Sequence, residues 1–328
     1  MSEYRNLKGK RVKTFETDLS GAAAEGQLFF STAAVGREFK TIIRSQAWAS
    51  GGNLGTARER LGSAGTQTAG LAFGGNVGTP PSPTASNTSE EYNGSAWTEG
   101  NNLNTARLAI KGAGTQTAAV GFGGGYPISD NNLTEEYNGT SWSEQNDMSA
   151  DRAGHTGFGI QTAAVATADY PAATTEEYDG TNWSSGGDLG TARYGMGAGG
   201  TLTAGVVFGG ASPVTGKTEE YDGSSWTESG DLNQTRFGLA GSGTQTAAVA
   251  FGGAPGPSGK ISTEKYDGTS WTTSSNLVSR RFYLAGCGTQ PLSLAFGGFS
   301  APAGNLNNTE EFTGGTTVEN DPKTIDFD

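Results

Sequence analysis

The chain has 328 residues, a formal net charge of −12, 54 glycines and a hydrophobic content of only 34%. This acidic balance argues against nucleic-acid binding by the body of the protein, and no apolar run of about 18 residues predicts a membrane span or a secretory signal. One histidine, His155, and one cysteine, Cys287, exclude an intrachain disulfide and cannot build a zinc site without many carboxylates. We expect both side chains to be buried and inert, and we expect no cofactor.

Residues 1–40 precede the repetitive part of the chain and are predicted to form an N-terminal arm. A basic cluster within it is a candidate assembly contact with an acidic neighbour: Arg5, Lys8, Lys10, Arg11 and Lys13. The other interpretation is a solvated tail.

Residues 41–313 contain six copies of one pattern. Each copy has an Arg, a Gly-rich turn, an apolar run ending in Gly-Gly, a Glu-Glu-aromatic segment and a Trp. The arginines, each ten residues after a Trp, are Arg58, Arg107, Arg152, Arg193, Arg236 and Arg281. The copies lie 41 to 49 residues apart, and their length varies only between Gly-Gly and Glu-Glu. Such a repeat predicts a scaffold that presents variable loops on one face.

The local patterns inside each copy predict four short strands. Apolar runs bounded by Gly, and hairpin signals such as Asn93-Gly94, occur without helical periodicity. Strand a follows the Arg, strand b ends at Gly-Gly, strand c holds Glu-Glu-Tyr and strand d holds Trp. Six such units predict an all-β protein, a six-bladed β-propeller with four antiparallel strands per blade.

The two ends of the repeat array are out of phase with each other. Trp48 has no Glu-Glu-Tyr before it, and Glu310-Glu-Phe312 has no Trp after it, because Thr317 stands there. We predict that the strand around Trp48 supplies strand d of the last blade, whose other strands come from residues 282–313. The alternative is a degenerate terminal blade. Residues 314–328 are expected to form an acidic C-terminal tail.

The order of apolar run, Gly-Gly, Tyr and Trp resembles the kelch repeat over residues 41–313. The amino-acid sequence of the repeats is similar to that of kelch-like proteins of marine phages. This match is carried by Thr105–Arg107, Gly114–Thr117, Phe122–Gly124 and Glu135–Tyr137. The segment EGQLFFST, Glu25–Thr32, resembles a short element of phage tail proteins. Copper oxidases that share the kelch propeller need two histidines and a tyrosine linked to a cysteine, a set that is missing here.

The resemblance implies a non-enzymatic structural component of a phage virion, in its tail, whose propeller docks or recognises a host. Its expected partners are other virion proteins and a host surface glycan or protein, with oligomerisation inside the virion. The main alternative is a carbohydrate-binding or glycan-active propeller protein, and a weaker one is a cytoplasmic kelch adaptor. An acidic cluster in the loops would favour an enzyme, but Asp130 is almost alone there.

Adjacent acidic residues recur in strand c of nearly every copy, with Lys265 replacing one of them. Neighbouring strand residues point to opposite faces, and six equivalent copies argue for a structural role. We predict contacts between these carboxylates and the repeated arginines, with Glu220 as one partner.

The variable connections join strand b to strand c. In a four-stranded meander they share one face with the d–a connections, whereas the a–b and c–d turns lie on the other face. Candidate binding residues in the variable connections are Pro80, Pro81, Pro83, Tyr126, Asp130, Tyr170, Pro213, Pro255 and Phe299. Proline stiffens a loop and lowers the entropy lost on binding. The alternative interpretation is that these loops vary because nothing constrains them.

Overall fold

The computed structural model of the chain describes residues 14–15, 28–31, 38–44, 46–125, 131–169, 171–256, 259–314 and 316–319. The chain divides into two compact units, one formed by residues 47–313 and the other by residues 1–46 with 314–328. The larger unit contains six four-stranded antiparallel sheets, and no helix occurs in the described ranges. The predicted all-β, six-bladed propeller is therefore confirmed. None of the described residues forms a helix that could cross a membrane.

The two inner strands of each blade are short and rich in Gly and Ala, because the blades converge at the axis. Strands a are β5 (Gly62–Thr66), β9 (Lys111–Thr115), β13 (Thr156–Ile160), β17 (Gly197–Thr201), β21 (Phe237–Thr244) and β25 (Ala285–Thr289). Strands b are β6 (Ala69–Phe73), β10 (Ala118–Phe122), β14 (Ala163–Asp169), β18 (Ala204–Phe208), β22 (Ala247–Ala254) and β26 (Leu292–Phe296). The inner strands surround an axial channel with a volume of about 150 Å³.

The two outer strands carry the large rings. Strands c are β7 (Ser89–Tyr92), β11 (Thr134–Tyr137), β15 (Ala172–Tyr178), β19 (Thr218–Tyr221), β23 (Thr263–Tyr266) and β29 (Thr309–Thr313). Strands d are β8 (Trp97–Glu99), β12 (Trp142–Glu144), β16 (Trp183–Ser185), β20 (Trp226–Ser229), β24 (Trp271–Ser274) and β4 (Ala47–Ser50). The b–c connection of the last blade also forms a small hairpin of β27 (Phe299–Ser300) and β28 (Gly304–Asn305).

The smaller unit is a separate four-stranded sheet in the order β1 (Thr14–Phe15), β2 (Leu28–Ser31), β3 (Glu38–Arg44) and β30 (Thr316–Glu319). β1 pairs in parallel with β2, and the other two pairings are antiparallel. Residues assigned by sequence to the arm and to the C-terminal tail thus meet in one sheet.

The last blade is closed by a strand from the other end of the repeat array. β4 pairs antiparallel with β29, which places Trp48 opposite Phe312. The indole of Trp48 also packs edge-on against Phe251 of the preceding blade, with ring centroids 5.0 Å apart. Its Nε1 donates to Thr263 Oγ1 at 3.0 Å. The predicted closure is therefore present, and Trp48 makes the same kind of ring contact and indole hydrogen bond that the other strand d tryptophans make.

Each joint between blades is fastened by a Trp of one blade that packs on a Phe of the preceding blade. Trp142, for example, lies 4.9 Å from Phe73 and donates its Nε1 hydrogen to Ser89 Oγ at 2.9 Å. The third blade has Thr167 where the other blades have this Phe, and Phe158 of its strand a packs on Trp226 instead. The Tyr and Trp rings therefore lie on the two outer strands of each blade.

A second fastening is a hydrogen bond from the strand c tyrosine to the second acidic residue of the preceding blade. Tyr137 donates to Glu91 Oε1, and Tyr266 donates to Glu220 Oε1, both at 2.6 Å. The one joint without a hydroxyl pairs Lys265 with Phe312 in the equivalent positions. The loss of the acceptor and the loss of the donor thus occur at the same joint.

The first acidic residue of each strand c pairs with the buried arginine of its own repeat. In the second blade, Arg107 Nη2 donates to Glu135 Oε1 at 2.9 Å, while Nη1 donates to the carbonyls of Gly123 and Leu133. Glu135 Oε2 accepts the backbone N–H of Asn104 at 2.7 Å. The six pairs are Arg58–Glu90, Arg107–Glu135, Arg152–Glu176, Arg193–Glu219, Arg236–Glu264 and Arg281–Glu310.

The predicted Arg–Glu contacts are confirmed, but the assignment of Glu220 to an arginine is wrong. Glu219 pairs with Arg193, whereas Glu220 points to the opposite face of the strand and accepts the Tyr266 hydroxyl. Strand alternation shows that two adjacent carboxylates diverge, but it does not show which of them faces the arginine.

Two truncations that differ only in β4 test the closure. Deletion of residues 1–46 keeps the strand that completes the last blade, and deletion of residues 1–50 removes it. We expect the longer deletion to lower the melting temperature and cause aggregation, because it exposes the edge of β29. Thermal scans and light scattering compare the two proteins, and equal melting temperatures would show that β4 does not close the ring.

Paired substitutions separate the roles of the two carboxylates. Glu219→Gln leaves Arg193 buried without its counter-charge, and we expect a loss of about 3–5 kcal/mol in the free energy of unfolding. In Glu220→Gln the amide oxygen still accepts the Tyr266 hydroxyl, so we expect a loss of about 1 kcal/mol or less. Urea unfolding measures both, and equal losses would contradict the assignment.

Candidate functional site

The variable b–c connections start beside the residues that follow each arginine. Leu108 bridges to Gly125, Tyr194 to Ala211, and Phe282 to Phe299, each pairing the residue after an Arg with the residue after Gly-Gly. The b–c connections and the segments after the arginines therefore share one side of the propeller. We call this side the variable face.

The described candidate loop residues divide into two groups. Five prolines are exposed: Pro80, Pro81, Pro83, Pro213 and Pro255. Phe299 is only partly exposed, because its ring packs against Phe282 with centroids 5.5 Å apart. The remaining candidates lie outside the described residues: Tyr126, Asp130, Tyr170 and the arm residues Arg5, Lys8, Lys10, Arg11 and Lys13.

The longest b–c connection is anchored at its base and exposed at its tip. Asn76 Nδ2 donates to Glu59 Oε1 at 3.0 Å, and Asn76 Oδ1 accepts the N–H of Gly78 and of Thr84. Asn305, in the b–c connection of the last blade, donates to the carbonyls of Asn76 and Gly78. The base therefore joins two neighbouring connections, and only residues 79–84 are fully exposed.

A cavity of about 80 Å³ lies on the axis, and residues from all six blades line it. We call this cavity the axial mouth. Tyr194 of the fourth blade and Tyr283 of the sixth line it with aromatic rings. The ring of Phe237 packs against both, with centroids 6.3 Å from Tyr194 and 6.0 Å from Tyr283. Sequence reasoning did not identify this site.

The rest of the wall of the axial mouth carries two cations. The guanidinium of Arg60 stacks 4.1 Å above the ring of Tyr283, and its side chain is 41% exposed. Lys111 lines both the mouth and the channel below, where burial and the charge of Arg60 lower the pKa of its ammonium to about 8. The other five blades carry Gly, Ala or Thr at the position of Lys111.

His155 completes this wall and is fully buried, as the sequence predicted. Its Nε2 lies 3.2 Å from the Phe122 carbonyl, and its buried Nδ1 has no hydrogen-bond partner in the described part of the chain. Burial, and then the charges of Lys111 and Arg152, lower the pKa of the imidazole well below its ordinary value, so the ring is neutral at physiological pH. Cys287 is buried as predicted, and burial raises the pKa of its thiol to about 12.

Asp169, the one departure from Gly-Gly, interrupts the ring of backbone hydrogen bonds around the mouth. At five positions the residue two after an Arg donates its N–H to the equivalent carbonyl of the preceding blade: Arg60, Ala109, Gly195, Gly238 and Tyr283. In the third blade the N–H of Gly154 donates instead to Asp169 Oδ1 at 3.0 Å, and Ala153 donates to Oδ2 at 2.6 Å. Asp169 has a φ of 133°, a conformation that is strained for any residue except Gly.

A sequence signal for the mouth does exist. The four residues after each arginine differ between repeats, whereas the flanking positions are nearly constant: ERLG, LAIK, AGHT, YGMG, FGLA and FYLA. The b–c connections vary in length between repeats, whereas these four positions vary only in residue type.

The repeated carboxylates are engaged in structural contacts. The first of each pair is bound to an arginine and a backbone N–H, and the second accepts a tyrosine hydroxyl at five joints. The described residues contain no group of three or more His, Cys, Asp or Glu side chains that could hold a metal ion.

Comparisons with known proteins support the fold alone. No protein-family model matches the chain, and no curated protein does. A solved structure titled "Structure of YjhT" is similar with a TM-score of 0.65, at 15% sequence identity, over 82% of this chain and 99% of that one.

Two substitutions of Asp169 test its role at the mouth. Asp169→Ala removes two charge-assisted hydrogen bonds and keeps the strained backbone, and we expect it to destabilise the fold by about 2–4 kcal/mol. Asp169→Gly removes the same bonds but relieves the strain, so its loss should be smaller by about 1 kcal/mol or more. Urea unfolding measures the free energy of unfolding of both variants. An equal or larger loss of stability for Asp169→Gly would contradict this account.

Proposed function

We propose that this protein is a non-enzymatic component of a phage virion, in its tail, and that its kelch-type propeller docks a virion partner or a host surface glycan or protein. The observation that carries the proposal is that the two sides of the ring differ in their residues and contacts. The constant residues are used to hold blades together, whereas the exposed prolines lie in connections on the variable face. The sequence resemblance to marine phage proteins supplies the virion context.

The turns on the opposite side are built as fastenings. Gln116 and Gln245, in a–b turns, each donate to two backbone carbonyls of the preceding blade. Three of the other four a–b turns also have a Gln at this position, and the fourth has Leu202. A surface used in this way leaves the variable face as the better candidate for recognition.

Location in the virion is tested by labelling. Purified particles that carry this gene are incubated with a gold-tagged antibody raised against the full chain and imaged by electron microscopy. We expect label on the tail, and particles that remain unlabelled while the protein is recovered only from the cell lysate would refute the proposal.

Recognition by the variable face is tested by trimming the exposed loop tip. Replacing residues 79–83 with two glycines keeps the anchors Asn76 and Thr84, so the fold should be preserved because loop length has a small effect on stability. We expect at least tenfold weaker binding of the full-length protein to the cells or virion proteins that the parent protein binds. Binding assays on immobilised targets measure this effect.

Matched controls lie on the opposite side of the ring. Thr68 and Leu292 are exposed beside a–b turns, and Thr68→Lys and Leu292→Lys should leave binding unchanged. Loss of binding in these two variants, with normal binding by the trimmed loop, would place recognition on the other side.

A further inference from the structure

The axial mouth combines three features that the proposed docking function does not use. It is an enclosed space on the axis, it has a cationic wall, and it has an aromatic wall. Each feature breaks the six-fold repetition of the propeller. Structural packing alone does not account for a lysine where the other five blades have Gly, Ala or Thr.

Of the two cations, only Lys111 lacks an acidic partner, because Glu59 Oε1 lies 3.9 Å from Arg60 Nε. The ammonium of Lys111 has no hydrogen bond or ion pair with another described residue, in a chain whose net charge is −12. Glu59 also accepts from Asn76, and Asp169 accepts two backbone N–H groups. A partly buried ammonium without a counter-charge destabilises the fold, and an anion that binds there would offset this cost.

A second, independent observation points to the same space. His155 is fully buried and lines the mouth, and its Nδ1 has no protein partner in the described ranges. Buried polar atoms of this kind are rare in folded proteins and call for an explanation. Because Nε2 faces the Phe122 carbonyl, it carries the single proton of the neutral ring, so the unpaired Nδ1 is an acceptor that can receive a hydrogen bond from a hydroxyl or ammonium hydrogen in the mouth.

The aromatic wall adds selectivity for the rest of the ligand. Tyr194 and Tyr283 are half-buried and line the cavity, and Arg60 already stacks on Tyr283. Aromatic surfaces bind flat or apolar groups by stacking and edge contacts. The cavity volume of about 80 Å³ accommodates a carboxylate group and leaves an attached ring at the rim.

We propose that the axial mouth is a binding site for a small organic carboxylate, with Lys111 and Arg60 holding the carboxylate and the rings of Tyr194 and Tyr283 contacting its flat body. The site is independent of the virion proposal, because it is tested on the purified chain with small molecules.

The affinity of the site depends on the protonation of Lys111. The charged or titratable groups around it are Arg60, Arg107, Arg152, Glu59, Asp169, His155, Tyr194 and Tyr283. Burial holds the pKa of His155 well below its ordinary value and raises that of Tyr283 above its ordinary value. Lys111, with a pKa of about 8, therefore loses its charge between pH 7 and pH 9, and anion binding should weaken over that interval.

Ligand-observed NMR and calorimetry with benzoate, acetate and benzyl alcohol test the proposal. Benzoate carries both the charge and the ring, acetate only the charge, and benzyl alcohol only the ring. We expect saturable binding of benzoate, weaker binding of acetate, and benzoate binding that weakens by up to about tenfold from pH 7 to pH 9. Absence of saturable benzoate binding, or equal binding of benzyl alcohol, would overturn the proposal.

Two lysine variants locate the effect. Lys111→Met should weaken benzoate binding at least tenfold and raise the melting temperature at pH 7, because it removes a desolvated charge. Lys217→Met removes an exposed lysine that pairs with Glu228 away from the mouth, and benzoate binding should be unchanged. Equal affinity of the Lys111→Met variant and the parent protein would show that the mouth is not the site.

Discussion

The fold depends on six buried arginines. Each guanidinium is 0–1% exposed and joins the end of strand b to a carboxylate, and that carboxylate also holds the loop leading into the blade. Five of the six also donate to the entry of strand c, whereas Arg193 donates to the Thr191 carbonyl instead. Removing such a charge from water is costly, and the cost is offset only when nearly all of its donors find acceptors. The arginine holds the end of strand b and the strand c carboxylate in place. The b–c connection between these two fixed points can therefore vary in length without disturbing the blade.

The joints between blades also rely on paired groups, supplied by different residues at different joints. Where the acceptor Glu becomes Lys265, the donor Tyr of the next blade becomes Phe312. Where the packing Phe becomes Thr167, Phe158 of the neighbouring strand fills the space beside Trp226, and Thr167 instead bonds the hydroxyl of Thr175. These paired replacements indicate that every joint keeps a packed contact between blades, although the residues that form it differ between joints.

Most of the fold followed from spacing. Constant intervals between Arg, Gly-Gly, the acidic pair and Trp were enough to predict four strands, six blades and the contribution of Trp48, because each interval fixes a strand and its partner. The orientation of Glu219 and Glu220 was not predictable. Strand alternation places them on opposite faces of the sheet but does not show which face contains the arginine. The axial mouth was missed because Arg60, Lys111 and Tyr283 are far apart in sequence and converge only when the ring closes. The role of Asp169 was likewise hidden, because it appeared in sequence only as an exception to Gly-Gly.

Closure of the last blade by β4 has a consequence for biosynthesis. The first strand of the ring to be made is residues 47–50, and its partner β29 ends at residue 313. At ribosomal rates of about 5–20 residues per second, β4 spends roughly ten to fifty seconds without the strand that it will pair with. Five blades can form in turn as they emerge, yet the ring stays open through that interval. A nascent chain held in this state displays two unpaired edges, so its yield in a cell depends on translation speed and chaperone access more than its final stability suggests.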